Sequence, residues 1–317
     1  MTILINMIPN TQMKPLVIGI GEFLWDLLPA GPRMGGAPAN FACHAHAFGA
    51  EAHVVSCVGS DEPGTRLIHN LLDLGLPVTG IAIDPLHPTG AVRVQLMDDG
   101  QPVFTIEPDS AWDHLVADPF VRRLFARADA VCFGTLAQRS PVSAETIRSL
   151  VTLTGSSALR IFDVNLRQNF YSTATVEASL ELANVLKMND AELPQIASMF
   201  GITGSDRECI AALVSRFGLR LVAFTRGAAG NLLYDGGEWC EHHGLIVDVQ
   251  NTIGAGDSFT AAVTMGLLNR WPLARISRVA TEVAAHVCSC SGALPKLPPD
   301  ILAHFGTASA LHITARI

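Results

Sequence analysis

Short, mostly apolar runs separated by longer amphipathic stretches set the pattern of this chain. Runs of strand length fall at residues 16–20, 52–58, 130–133, 159–164, 185–188 and 219–225, and from Ala130 onward each leads into a helix-like stretch. Continuous apolar strands alternating with helices predict right-handed βαβ units and a mostly parallel sheet covered on both faces. Residues 89–107 break the rhythm. There Val92, Val94 and Leu96 alternate with polar neighbours, Asp98-Asp99-Gly100 supplies a turn, and Val103, Phe104 and Ile106 follow. That spacing predicts a β-hairpin with one apolar face, read here as a small lid outside the main sheet. Further on, Phe259, Ala262, Val263, Gly266 and Leu267 recur at helical spacing, which predicts a helix with one buried face.

The residues that open that helix carry the chemistry. Asn251-Thr252-Ile253-Gly254-Ala255-Gly256-Asp257 places two glycines and an alanine where a helix leaves its N–H donors unpaired and its positive dipole end exposed. Such an end is a natural seat for phosphate. Asp257, inside the same turn, suits a base that deprotonates an alcohol beside a bound phosphoryl group.

Other segments admit two readings each. Gly35-Gly36-Ala37-Pro38-Ala39-Asn40 is either a turn with Asn40 bonding locally or a loop whose amide meets a ligand hydroxyl. Asp26, placed at a strand end, either caps a turn or accepts from vicinal hydroxyls. Thr225-Arg226-Gly227-Ala228-Ala229-Gly230 fits a nucleotide loop or a plain hairpin turn. Asn189-Asp190-Ala191-Glu192 either complements a helix dipole or, through Glu192, holds the waters of Mg²⁺. Gly19-Ile20-Gly21 lacks the third glycine of a dinucleotide fold, since Leu stands at position 24, and no Gly-Lys-Ser/Thr phosphate loop or Gly-x-Ser-x-Gly elbow occurs. His44 and His46 face different directions on a helix and make a poor metal pair. Cys288 and Cys290 read as small buried residues near a helix end.

Composition acts mainly by exclusion. With 317 residues, 49% hydrophobic and 16% charged, the chain can build a large core. No repeat or linker divides it, so one domain over 1–317 is expected. A formal charge of -8 without a basic stripe argues against nucleic acid. Seven scattered cysteines and no secretory pattern predict reduced thiols and a cytoplasmic protein. No 18-residue uncharged apolar run is present, so no membrane span is expected. Residues 1–12 read as a loose tail.

Taken in order, these segments resemble the PfkB family of ribokinase/fructokinase-type sugar kinases over about residues 15–297. Gly-Ala-Gly-Asp is the most specific element. The Gly35–Asn40 loop, Val-Gly-Ser-Asp-Glu-Pro-Gly at 58–64, Asn-x-x-Glu and Thr-x-Gly-x-x-Gly follow in register. The resemblance implies an α/β, ribokinase-like fold: a mostly parallel sheet flanked by helices, with a small β-sheet lid from about 27–36 and 88–111. It implies ATP and Mg²⁺, a sugar substrate, and a homodimer formed through the lid. Asp257 would be the general base, with Gly254, Ala255 and Gly256 as the anion hole. Asn189 and Glu192 would face the phosphates and hydrated Mg²⁺, and Thr225, Gly227 and Gly230 the nucleotide. Asp26, Gly36 and Asn40 would grip sugar hydroxyls, and Arg167, in Asp163-Val164-Asn165-Leu166-Arg167, would supply a cation for substrate or phosphate.

A base of this kind contributes roughly 10²–10⁴-fold to rate, and one oxyanion donor about 2.7–4 kcal/mol. Relatives commonly carry Asp where this chain has Asn251, and that carboxylate helps bind a monovalent cation. An amide oxygen can coordinate a cation but brings no net charge, which weighs against activation by K⁺. The segment at 22–29 and the Gly35–Asn40 loop resemble those of bacterial fructokinases, which makes fructose the expected substrate. Ribose, 2-keto-3-deoxygluconate and nucleosides are alternatives on the same fold. A non-catalytic sugar-binding regulator and an NAD-dependent enzyme are the rival classes.

Overall fold

The computed structural model describes residues 13–28, 31–96 and 102–307. The expected tail at 1–12, the turn at 98–100 and two residues of the 27–36 segment lie outside the described residues. Alternation of aliphatic side chains builds the central strand. Leu16, Ile18 and Ile20 of β1 (Leu16–Ile20) enter one apolar cluster and Val17 enters the other. Both faces of the strand are therefore buried, as a parallel sheet between helix layers requires.

Among the described residues nine strands form the main sheet. On one side of β1 lie β4 (Glu51–Gly59) and β5 (Ile81–Asp84). On the other, β8 (Ala130–Phe133), β9 (Leu159–Asp163), β10 (Val185–Asn189) and β11 (Leu221–Thr225) follow in sequence order, all parallel. β12 (Asn231–Tyr234) and β13 (Trp239–His242) close that edge antiparallel, so the 225–230 segment is a hairpin connection. The chain winds outward from β1 through β4 and β5, then crosses back to β8. Ligands of open α/β sheets settle outside the strand carboxyl ends where the winding reverses, here between β1 and β8.

The second sheet has the order β3–β2–β6–β7. β2 (Leu24–Leu28) pairs antiparallel with β3 (Gly31–Gly35) and parallel with β6 (Gly90–Leu96), which pairs antiparallel with β7 (Pro102–Ile106). The hairpin expected at 89–107 is thus half of a four-stranded sheet. Asp26, expected at a strand end, is the central residue of β2.

Helices cover the main sheet on both faces. α1 (Ala37–Ala47), α2 (Glu62–Asp73), α8 (Ala255–Leu268), α9 (Leu273–Cys288) and α10 (Pro299–His304) pack into the cluster that holds Val17. α3 (Pro119–Arg127), α4 (Pro141–Thr152), α5 (Thr173–Leu182), α6 (Leu193–Met199) and α7 (Asp206–Phe217) pack into the other. α8 departs from expectation. It contacts both α1 and α9, and every residue from Ser258 to Gly266 is buried, so it has no single buried face. The Gly19-Ile20-Gly21 pattern also has a packing cause. A Cβ at Gly19 would overlap the Pro38 carbonyl oxygen at the start of α1, so this glycine lets helix and strand touch. Among the described residues no helix is long and apolar enough to cross a membrane.

Candidate active site

A cavity of about 1030 Å³ opens beyond the strand carboxyl ends, with walls from the small sheet, the loops after β9, β10 and β11, and the first turn of α8. Every site residue expected from the sequence lines it except Glu192. The cavity floor begins at Gly254, whose φ of 77° is left-handed and whose missing Cβ makes room for Ala293. Two residues on, Gly256 leaves space that a Cβ would take 2.9 Å from Lys187 Nζ. Asp257 follows, and Asn40 Nδ2 donates to its Oδ2 at 2.8 Å. Asn40 makes no local cap; its amide spans from α1 to α8 instead. Burial pushes the Asp257 carboxyl up to about 6, the Asp163 charge adds to this, and the Asn40 bond and the Lys187 and Arg167 cations oppose it.

Lys187 is a site residue that sequence reading missed. It lies in β10 at 6% exposure, lines the cavity, and donates from Nζ to Asp163 Oδ1 at 3.0 Å. Thr260 of α8 donates to the other Asp163 oxygen at 2.9 Å and also lies 2.8 Å from the Gly256 carbonyl. Burial alone would lower the lysine, but the Asp163 and Glu192 carboxylates outweigh it and hold the ammonium above its ordinary value. A fixed positive charge therefore sits beneath the glycine turn. Its one sequence signal was a lysine interrupting the apolar run Val185-Leu186-Lys187-Met188.

A cluster of carboxyl groups gathers within reach of the Asp257 charge. Glu22, on the connection from β1 to β2, is 3% exposed, and its Oε2 has no hydrogen-bond partner. Asn40 Oδ1 is likewise buried without a partner, and both residues line the cavity. Burial raises the Glu22 carboxyl to about 7, helped by Asp257, and raises Asp26 to about 6; Arg167 opposes both shifts. Each of these three carboxyls binds its proton more tightly folded than unfolded. Their contribution to stability is complete below about pH 4 and is lost as pH rises through 6 to 7. Arg167 is exposed in the loop after β9, where Asn165 and Gln168 adopt left-handed φ values of 44° and 50°. Sequence reading singled out Asp26 and Arg167 but not Glu22 as a site residue.

At the third side, the Asn-x-x-Glu segment forms a reciprocal clasp. Asn189 Oδ1 accepts from the Glu192 amide at 2.9 Å, and Glu192 Oε2 accepts from the Asn189 amide at 2.8 Å. Glu192 Oε1 accepts from the Leu166 amide at 3.0 Å, so this buried carboxylate joins the loops after β9 and β10 from behind the cavity wall. Leu245, Ile246 and Val249 are exposed apolar residues of the cavity lining, which also takes in Ala284 and Ala285 of α9, another feature sequence reading missed. Cys288 and Cys290, expected to be buried, are half-exposed, and Cys288 lines the cavity. His44 is buried and bonds through Nε2 to the Ala293 carbonyl at 2.9 Å, with burial lowering it to about 4.

A family model described as pfkB family carbohydrate kinase matches residues 31–300. The chain belongs to this family. The PfkB kinase is 28% identical over 304 residues to a fructokinase of Escherichia coli, covering 90% of this chain and 97% of that one. It also matches the crystal structure of an uncharacterized sugar kinase of Pyrococcus horikoshii at 27% identity and a TM-score of 0.79, covering 92% and 98% of the two chains. That kinase has also been solved in complex with ATP, where the match is 28% identical with a TM-score of 0.75, covering 88% and 93%. A ribokinase II structure from E. coli, 22% identical and covering 93% and 98%, shares the fold with a TM-score of 0.80.

The buried pair yields a direct prediction. Asp163→Asn strips the counter-charge from Lys187 and should lower stability by about 3–5 kcal/mol in denaturant unfolding. A loss below about 1 kcal/mol would show that cavity water already solvates the ammonium.

Proposed function

We propose that this PfkB kinase transfers the γ-phosphoryl group of ATP to the terminal hydroxymethyl group of a hexose, with fructose the preferred acceptor. The observation that carries this reading is Asp257. Its carboxylate is oriented by Asn40 at the mouth of a glycine-lined helix start, within one cavity that also holds buried, unpartnered sugar-type acceptors. Asp257 takes the proton from the hydroxyl, the freed oxygen forms its bond to γ-phosphorus, and the bond to the bridging oxygen of ADP breaks. Backbone N–H groups at Gly254–Gly256 meet the charge that develops on the phosphoryl oxygens. Lys187 adds its ammonium from below the same turn. Glu22, Asp26 and Asn40 present acceptors to the sugar hydroxyls, and Arg167 neutralises carboxylate or phosphate charge at their border. Fructose is supported by relatives named fructokinase at 25–28% identity over most of the chain.

Thr225, Gly227 and Gly230 flank the phosphates, and Leu245, Ile246 and Val249, in the same lining as Ala284 and Ala285 of α9, suit the flat face of a purine. The donor set fits Mg²⁺ that arrives on the triphosphate with its own waters. Glu192 already serves two amides from behind the cavity wall, so more than one water would have to link it to the ion, and the ion would neutralise charge on the β- and γ-oxygens. The small sheet serves as a lid over the sugar, excluding water and limiting ATP hydrolysis. β3 forms an open edge of it with Pro32 and Arg33 exposed, and lid-to-lid pairing of two chains is the assembly we propose.

The residues do not fit a bound K⁺. Asn251 Oδ1 accepts from the Ile253 amide at 2.9 Å and its Nδ2 donates to the Cys290 carbonyl. The amide N–H thus satisfies an oxygen that a cation would otherwise bridge to a carboxylate.

Four outcomes are expected. In a coupled assay of ADP release over a sugar panel, fructose should give the highest kcat/KM; sugar binding without ADP would instead favour a regulatory protein. Asp257→Ala should cut kcat by roughly 10²–10⁴-fold with sugar affinity nearly intact, and more than a tenth of the wild-type rate remaining would remove Asp257 from the base role. Because the base acts ionised and its carboxyl is raised to about 6, kcat/KM should fall about tenfold per unit as pH drops below 6. That acid limb should persist in Glu22→Gln. Finally, rates in KCl, NaCl and tetramethylammonium chloride should agree, and activation by K⁺ of more than about threefold would contradict the role given to Asn251.

A further inference from the structure

A second group of chemically capable side chains lies away from the cavity, at the root of the β6–β7 hairpin. His87 belongs to the segment leading into β6, while Asp109 and His114 follow β7. One ligand atom from each lies within 4.8 Å of the other two. The two imidazoles stack with centroids 3.5 Å apart and planes 8° apart. Asp109 Oδ1 is 2.8 Å from His114 Nε2 and 3.9 Å from His87 Nε2. Two ring nitrogens and a carboxylate oxygen therefore converge.

The outer partner sharpens the pattern. His87 Nδ1 is 2.8 Å from Asp84 Oδ2, and Asp84 Oδ1 accepts from the amides of Leu86 and His87. A carboxylate only accepts, so Nδ1 carries the proton and Nε2 of the neutral ring keeps its lone pair toward Asp109. A carboxylate behind a histidine, fixing tautomer and ring orientation, is the usual support of a metal-bound imidazole. Asp109 holds a left-handed φ of 51°, a conformation uncommon for a residue with a side chain. That conformation is the one that puts its carboxylate beside both rings.

We propose that His87, Asp109 and His114 bind one divalent transition-metal ion of the Zn²⁺ or Co²⁺ type, with Asp84 orienting His87. Around such an ion, bonds of about 2.0–2.2 Å set neighbouring ligand atoms roughly 3–3.5 Å apart. The 2.8 Å contact must lengthen and the 3.9 Å one shorten by about half an ångström, and because an imidazole lone pair lies in its ring plane, the His114 ring must also turn out of the parallel stack to face an ion held by His87, a movement open to a partly exposed side chain. His114 moves its Nε2 proton to Nδ1 or to solvent. Two imidazoles and one carboxylate leave positions for water and favour Zn²⁺ or Co²⁺ over Mg²⁺, which separates this site from the nucleotide's ion. The bound ion ties the chain ahead of β6 to the chain behind β7, clamping both roots of the hairpin.

Calorimetric titration of the metal-stripped full chain with Zn²⁺ tests this. One ion should bind per chain. His87→Ala and His114→Ala should each weaken it at least about 100-fold, and Asp84→Asn about 10–100-fold. Because Cys290 Sγ lies 3.7 Å from His286 Nε2, Cys290→Ser is the control and should leave this binding unchanged. Circular dichroism, and kinase activity in buffer that contains Mg²⁺ but no Zn²⁺ or Co²⁺, should match wild type in the histidine variants. A loss under about tenfold in either histidine variant, loss of the site in Cys290→Ser, or no binding tighter than about 100 µM overturns the proposal.

Discussion

The start of α8 is held in place by one buried ion pair. Asp163 at the end of β9 and Lys187 in β10 meet within the sheet, and Thr260 ties the same carboxylate to the helix. Two desolvated charges survive there because each satisfies the other and the hydroxyl fills a remaining acceptor position. The arrangement fixes the glycine turn relative to the strands, and it leaves an ammonium so close that a Cβ at position 256 would lie 2.9 Å from it. A rigid, positively biased turn is what a developing phosphoryl charge requires, since donors that need not reorganise stabilise it most.

Carboxyl groups are concentrated in the same cavity. Glu22, Asp26 and Asp257 are all raised above ordinary carboxyl values, chiefly by burial. Such a group is unfavourable for folding at neutral pH, and its persistence in one cavity is the signature of a site built for a ligand rather than for stability. Asn40 links the two halves. One of its amide atoms is spent on Asp257, and the other remains unsatisfied.

Much of this was legible in the chain because it depends on local pattern. Apolar runs gave the parallel strands of the main sheet nearly to the residue except β5, alternation gave the β6–β7 pair, and Gly254–Gly256 with Asp257 located the turn. What stayed hidden depends on partners distant in sequence. Lys187 becomes a site residue only once Asp163 pairs with it and α8 settles above it. β3 lies in a Gly/Pro-rich stretch whose strand character comes from β2 alongside, not from its own alternation. The near-total burial of α8 reflects α1 and α9 on either side, which no periodicity within α8 could report. Glu192 read as a candidate for hydrated metal because its spacing is visible while its two amide partners are not.

The short path from β1 to β2 has a mechanical meaning. Glu22 stands on the connection that leaves the rigid central sheet, and Asp26, four positions later, belongs to the small sheet. A polyol that engages both carboxyls would bridge floor and roof through a span of chain too short to absorb the pull. Occupancy of the acceptor position would thereby be felt as tension in β2 and passed through its pairing with β6 to the outer strands, making the small sheet a sensor of what lies beneath it.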